Sequence, residues 1–562
     1  MSNMMTKFKK FRILFSKNKR FRTIVLTAGV ILLAVLLVVF SFIMIRIETS
    51  GKLTMAIAEE PQTLDPTFCE NKDTETLLVN CFEGLMKIDE KGDAVKAAAS
   101  DYTVSEDGLV YTFTIASGVL WSDGTAVEAS DFVYAWRRTA NPYNSSSYSY
   151  MFENIAGYDK VLEDFEKEKN KETNEEGNYI TVNMADLWVK AADSRTLVVK
   201  LKEKDPDFLY KCASVAFLPL CEDAVRPNTR IWGEDPDLFV CNGAFKLSSW
   251  TEGSYLELAP NEYFREKDKV KLENVKVYFA ESSEEAYEMY KSSEVLYTNF
   301  IPEDKLTKLA KKKDYVSYDE LGTYFLYFNT GEAPFNDVRV RQALTLAIDR
   351  ERIIEETAQG RGEAAGALIS DGFSSFRQDG QNYISTTDNQ GNIKKARQLL
   401  EQAGYKDGKA FPKFEYVYND NEISHETAKL LQSMWKSNLG IDCTLKSVSW
   451  SKLDELRQSG NFTVAKGGLM APYNSTSYML RQFTTENNFC NWSNSEYDSL
   501  VKQMINSQSE TAHKAESILM KNFVICPIYY YTGSYLQSKR IENLYVTNSG
   551  IAYFMYADVK VF

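Results

Sequence analysis

The chain has 562 residues, too many for one hydrophobic core, so two or three compact units are expected. Apolar residues make up 44% of it, which is ordinary, and aromatic residues 13%, which is high and comes almost wholly from Tyr and Phe. Nine of the 65 basic residues and none of the 78 acidic ones lie in residues 1–46; beyond them 56 bases face 78 acids, a net charge of −22 that argues against nucleic acid and anionic lipid as partners.

Residues 1–23 hold eight bases (Lys7, Lys9, Lys10, Arg12, Lys17, Lys19, Arg20, Arg22) and no acid, and residues 24–45 are an unbroken apolar run. Such a run spans about 30 Å of hydrocarbon as a helix. The basic flank is expected to stay cytoplasmic, with everything after about residue 46 outside the cell membrane. The run exceeds the ~7–15 residues of a signal-peptide core, and no A-x-A-like cleavage site follows it. No Cys precedes Cys69, which closes the lipoprotein route. An uncleaved single-pass anchor is predicted.

From Gly51 onward the pattern alternates between strands and helices. KLTMAIAEEPQTLDPTFCEN gives a strand and a loop pinned by Pro61 and Pro66, and DTETLLVNCFEGLMKID a helix running into a strand. YTVSEDGLVYTFTIASGVLWSDG reads as two alternating strands and a turn, and AVEASDFVYAWRRTANP as an amphipathic helix. Residues 158–178 are charged, with only Val161, Leu162 and Phe165 to bury; a solvated helix and loop is expected there, not an acidic binding site. LWVKAADSRTLVVKLKEKDPDFLYKCASVAFLPL returns as strand, turn, strand and helix, residues 243–264 form a hairpin, and VKVYFAESSEEAYEMYKSSEVLYTNFIP ends in a loop at Thr298 and Asn299. In residues 321–353 the run Tyr324 to Phe328 is a buried strand, Gly331 and Pro334 break it, and Asp337 caps a helix with Val340, Ala343, Leu344, Ala347 and Ile348 on one face.

Enzyme signatures are missing. The sequence contains no G-x-S-x-G, H-E-x-x-H or G-x-x-x-x-G-K-[ST], and it has only two histidines, His425 and His513, each expected on a surface helix. No catalytic residue, metal ligand or cofactor is predicted. The eight cysteines form no C-x-x-C; outside the cell they permit disulfides, Cys212 and Cys221 being the nearest pair, and equally permit free thiols.

Four motifs occur in a fixed order: LDP at Leu64 to Pro66 with Glu70 five residues after its Asp, FEGL at Phe82 to Leu85, WSDGT…DFVYAWRR at Trp121 to Arg138, and PFND at Pro334 to Asp337. In order and spacing they resemble the oligopeptide-binding proteins of bacterial ABC importers, extracellular solute-binding family 5, over about residues 52–562. The resemblance implies an α/β fold of two lobes, of the large peptide-binding class with an extra subdomain, here behind one transmembrane helix. Residues 52–319 would form the first lobe, with an outer subdomain at about 96–230. Residues 320–515 would form the second, and 516–562 would return to the first, giving two hinge crossings. The implied function is capture of short peptides between the lobes by a monomeric binding protein, for delivery to permease and ATPase subunits.

Carried over position by position, the resemblance places Glu70 near the ligand's amino end, Tyr148 on the outer lobe, Asn299 on the ligand backbone, and Trp450 and Arg457 in the side-chain pockets; Tyr324, Lys466 and Tyr473 complete the implied ligand-binding set. The chain also departs from the pattern. Relatives carry an Asp that pairs with the ligand's α-ammonium where this chain has Pro472, which offers neither charge nor N–H. Lys466 stands where Arg is common, and Gly322 and Met470 stand where some relatives have a disulfide. Two expectations stay open. Either Glu70 takes over the ammonium, or the protein is a membrane-tethered receptor, without transport, for an N-blocked or non-peptide ligand.

Overall fold

Two long antiparallel strands, Tyr315–Phe328 and Ile525–Gln537, lie side by side at the centre of the molecule. The first half of Tyr315–Phe328 is partly exposed, whereas Leu321 to Phe328 is buried throughout, as its apolar sequence LGTYFLYF requires of a strand covered on both faces. The register between the two strands breaks between Asp319 (opposite Thr532) and Thr323 (opposite Tyr530). That break separates the lobes, and the two strands are the two crossings between them. The structure is a computed structural model describing residues 51–560 except 175, 230, 359, 374–375, 377–381 and 505–509, together with Thr23 and Thr27. Among the described residues no helix is long and apolar enough to cross a membrane; the span expected over residues 24–45 falls, Thr27 apart, outside them.

One mixed sheet runs through both lobes. From the crossing strands it continues on one side through Tyr297–Thr298, Lys52–Ile57, Asn274–Phe279 and the hairpin Tyr255–Pro260 and Phe245–Thr251. On the other side lie Val464–Lys466, Phe414–Asn419 and Cys443–Val448. Lys52–Ile57 is parallel to both of its neighbours, and Phe414–Asn419 to both of its own, the arrangement expected of strand–helix–strand units. Two cores result. One gathers Leu53 to Tyr297 with Tyr535 and the C-terminal segment, the other Leu321 to Tyr529. The second core therefore reaches past residue 515, because helix Glu510–Lys521 buries Ala512, Ala515, Leu519 and Met520 in it and the returning strand closes it.

Within the first lobe a separate antiparallel sheet, Ala99–Val104, Val110–Ile115, Thr196–Lys200 and Val189–Asp193, packs under helix Ala129–Ala140. The sequence motifs knit this subdomain to the main sheet. Asp65 of the LDP loop caps the turn Pro66–Phe68, accepts from the Trp232 indole at 3.1 Å, and forms a buried ion pair with Arg138 at 2.7 Å. Trp121 donates to Asp131, which also closes the capping box of the same helix. These signature residues hold the fold together.

Helix Tyr158–Lys169 is solvated as expected, but Tyr158, Val161 and Asp164 are its buried residues while Leu162 is exposed. Asp337 caps Val338–Leu346, with Val340, Ala343 and Leu344 buried. Arg341 and Arg350 are buried too. Arg350 donates to the carbonyls of Thr345, Ile348, Ala365 and Pro527, and Arg341 to those of Phe335, Asn522 and Phe523, so both guanidiniums pin the second lobe's loops to its sheet. All eight cysteines are free and buried. His425 is exposed and bonds the Tyr418 hydroxyl through Nδ1 at 2.7 Å, and His513 stacks on Phe376.

Candidate binding cleft

Helix Lys72–Cys81 forms where it does because Asn71 accepts from the Thr74 N–H and two acids, Asp73 and Glu75, sit in its positive first turn. Leu77, Leu78 and Cys81 face the first core. Lys72 and Glu75 face a cavity of about 400 Å³ between the lobes. Its first-lobe wall includes Glu70, Tyr148, Tyr150 and Met151, and its second-lobe wall Leu321, Met470, Ala471, Pro472 and Tyr478. Lys72 reaches across to Glu320, in the register break, at 3.1 Å. Its side chain is half exposed, so this pair is worth under ~1 kcal/mol and does not lock the lobes.

Glu75 is the perturbed group of this cavity. Burial pushes its carboxyl up to about 7, against the opposing influences of the Lys72 ammonium and a hydrogen bond from Tyr148. Burial first, then the Glu75 charge, raises the Tyr148 phenol in turn. Cys69, beside them, is pushed up to about 12 by burial and the same charge. Glu70 is exposed at the rim.

A second group lies on the other lobe. Helix Trp450–Gln458, capped by Ser449, presents Trp450 with 55% of its surface exposed. The Arg457 guanidinium lies 5.4 Å from that ring centre and Lys466 Nζ 5.8 Å. Arg457 is buried, pairs with Asp454 and donates to the Lys466 carbonyl; its Nε has no partner among the described residues. Lys466 donates to Asn419 and Ser424. Burial, then the Arg457 charge, pulls its ammonium down to about 8. Beneath it Tyr324 stacks flat on Tyr529, with ring centres 4.8 Å apart.

With this geometry the comparisons fall into place. The pattern of bacterial extracellular solute-binding proteins, family 5 middle, matches residues 93–491. The chain belongs to this family. It is 31% identical over 515 residues to the periplasmic oligopeptide-binding protein of Salmonella typhimurium, covering 87% of this chain and 90% of that one. It is 28% identical over 534 residues to the oligopeptide-binding protein of Bacillus subtilis, covering 91% and 94%. The unliganded open form of a periplasmic murein tripeptide-binding protein superposes with a TM-score of 0.81 at 27% identity, over 91% of this chain and 98% of that one. Another structure, of the Escherichia coli murein tripeptide-binding protein, gives 0.62 at 28% identity over 90% and 98%.

The residues expected to meet ligand fall into three sets. Glu70 and Tyr148 share the inter-lobe cavity, while Trp450, Arg457 and Lys466 form the second-lobe group. Asn299, Tyr324 and Tyr473 join neither surface as expected. The Asn299 amide donates to Asp73 at 2.9 Å, and the Tyr324 side chain is buried, because its strand is covered on both faces. Tyr473 is also buried, stacked on Tyr210 in the first core. Gly322 and Met470 are register partners, and a Cβ on Gly322 would meet the Met470 sulfur at 2.3 Å, so the thioether fills the space that a side chain at 322 would need. Glu75, Lys72, Asn419 and Ser424 escaped sequence reading. The only local signal was for Glu75, an acid set between two threonines, Thr74 and Thr76, that both turn inward. A larger cavity, about 870 Å³, lies on the outer subdomain beside Arg137 and Arg226, away from the gap between the lobes.

Proposed function

We propose that this family-5 protein captures short peptides between its lobes and hands them to the permease and ATPase subunits of an ABC importer. It binds and does not transform its ligand, needs no cofactor, and acts as a single pair of lobes. On this reading residues 24–45 anchor it as one membrane-crossing helix, with residues 1–23 cytoplasmic and the binding lobes outside the cell.

The observation that carries the reading is the placement of opposite charges on the two lobes, acids on the first and cations on the second. Acids of the first lobe, Glu70 and Glu75, line a cavity whose second-lobe wall includes Met470; Lys466, four residues before Met470, lies on the second lobe with Arg457 beside the same Trp450 ring. Four residues span at most about 14 Å, and an extended tripeptide, with an ammonium at one end and a carboxylate at the other, is on the order of 10 Å long. The relatives named for oligopeptides or a murein tripeptide support the same class of ligand. The superposition on the unliganded open form of a murein tripeptide-binding protein supports capture by closure, and the crossing strands carry a break at residues 319–323. Contacts to a peptide's ends and backbone give affinity with little regard to side chains.

Calorimetry with triglycine, tri-leucine and tri-lysine tests this. All three are expected to bind within about tenfold of one another, each tighter than its constituent amino acid; strong preference for one, or no binding by any, contradicts it.

A further inference from the structure

We propose that Glu75, rather than the exposed Glu70, is the group that receives the positively charged end of the ligand. The argument is geometric. Of the two carboxylates in the inter-lobe cavity, Glu75 alone projects from a helix that is itself anchored in the first core, and it is partly buried, whereas Glu70 sits in solvent at the rim. An exposed carboxylate gains under ~1 kcal/mol from an ammonium, while one shielded from water gains more. Among the described residues no ion pair within 4.0 Å neutralises Glu75, because the nearby Lys72 ammonium is taken by Glu320.

The surroundings leave a space that suits an ammonium. Besides Lys72, the titratable groups facing Glu75 are Tyr148, Tyr150 and Tyr210 of the outer subdomain, Tyr473 beside Pro472, Tyr553 of the C-terminal segment, and Cys69 and Glu70 of the preceding loop. None of these brings positive charge. The opposite wall, Leu321, Met470, Ala471 and Pro472, carries no ionisable group, and Tyr478 beside it adds only a phenol. A cation entering here meets net negative charge and a carboxylate carried on a helix anchored in the first core, beside the Tyr148 phenol.

A consequence follows for pH. Glu75 holds a proton up to about pH 7, and an ammonium binds its ionised form, so binding expels that proton. Affinity should rise with pH through about 7 and fall again as the ligand's own α-amino group deprotonates near ~8; between pH 6 and 7.5 the net gain is about sixfold.

This inference takes its probe from the peptide reading. Calorimetry on the full-length protein in detergent micelles would compare tri-alanine with N-acetyl-tri-alanine across pH 6–7.5. Wild type is expected to prefer the free amine by about 10- to 100-fold and to show the rise with pH. Glu75→Gln should lose both the preference and the rise; Glu75→Asp should keep the rise, which a purely structural role would not produce. Glu70→Gln should shift affinity by less than about fivefold. The proposal is overturned if Glu75→Gln, melting as a folded protein, still rejects the acetylated peptide, if Glu70→Gln alone abolishes the preference, or if the wild-type profile is flat. If wild type ignores tri-alanine, the peptide reading fails separately, and n-butylamine becomes the probe. Binding of n-butylamine that Glu75→Gln abolishes upholds the role of Glu75, and no binding overturns it.

Discussion

Replacing Asp65 by Asn tests how the outer subdomain is fastened to the main sheet. Asp65 Oδ1 accepts from the Thr67 N–H at 2.9 Å and from Arg138 at 2.8 Å, and Oδ2 from Trp232 at 3.1 Å and from Arg138 at 2.7 Å. The two side chains are 3% and 10% exposed, so neither charge can fall back on water. Asn keeps the shape but turns an N–H₂ toward a donor and leaves the guanidinium unpaired. Breaking a buried pair from one side costs about 3–5 kcal/mol, against under ~1 kcal/mol for an exposed pair. Urea unfolding followed by tryptophan emission should show the larger lobe's transition shifted by that amount. Asp65→Asn combined with Arg138→Met should recover about 2 kcal/mol or more of the summed loss, because the second change removes the stranded charge. Ligand affinity should fall as well, since Glu70 follows Asp65 and Tyr148 follows Arg138 on the two sides of this junction. A loss under ~1 kcal/mol for Asp65→Asn, or simple additivity with Arg138→Met, would refute the reasoning.

The Glu75 carboxyl titrates higher folded than unfolded, so the folded state holds an extra proton between about pH 4.5 and 7, and stability falls as pH rises through that window. Glu75→Gln is accordingly expected to raise stability at pH 8 by about 1–2 kcal/mol, read as a higher melting temperature that vanishes at pH 4. Lys466→Met should weaken tri-alanine by about tenfold while leaving tri-alanine amide, which has no carboxylate, nearly unchanged. Gly322→Ala should cost about 1–3 kcal/mol in urea unfolding, because its Cβ drives against the Leu469 carbonyl oxygen, which unlike the exposed Met470 side chain cannot swing away.

Much of the fold was legible because it rests on local chemistry. Asp337 caps the helix its position announces, and the apolar run through Phe328 forms a strand covered on both faces. What escaped depends on contacts distant in sequence. Arg341 and Arg350 both turn inward to carbonyls contributed from residues 522–527, a pairing no local pattern encodes. The Asn299 amide donates to Asp73, more than two hundred positions away in the chain, another tie that motif spacing does not show. Glu70 and Glu75 differ by five residues in the sequence and by their access to water in the fold. That difference comes from the docking of helix Lys72–Cys81, which motif spacing does not reveal.

The central claim is that the gap between the lobes holds short peptides. Native mass spectrometry of the full-length protein, released gently from the membrane, tests it most directly. A family of adducts whose masses and fragments correspond to peptides of about two to five residues with mixed side chains is the predicted result. A single recurring sugar, metal chelate or nucleoside adduct would contradict it.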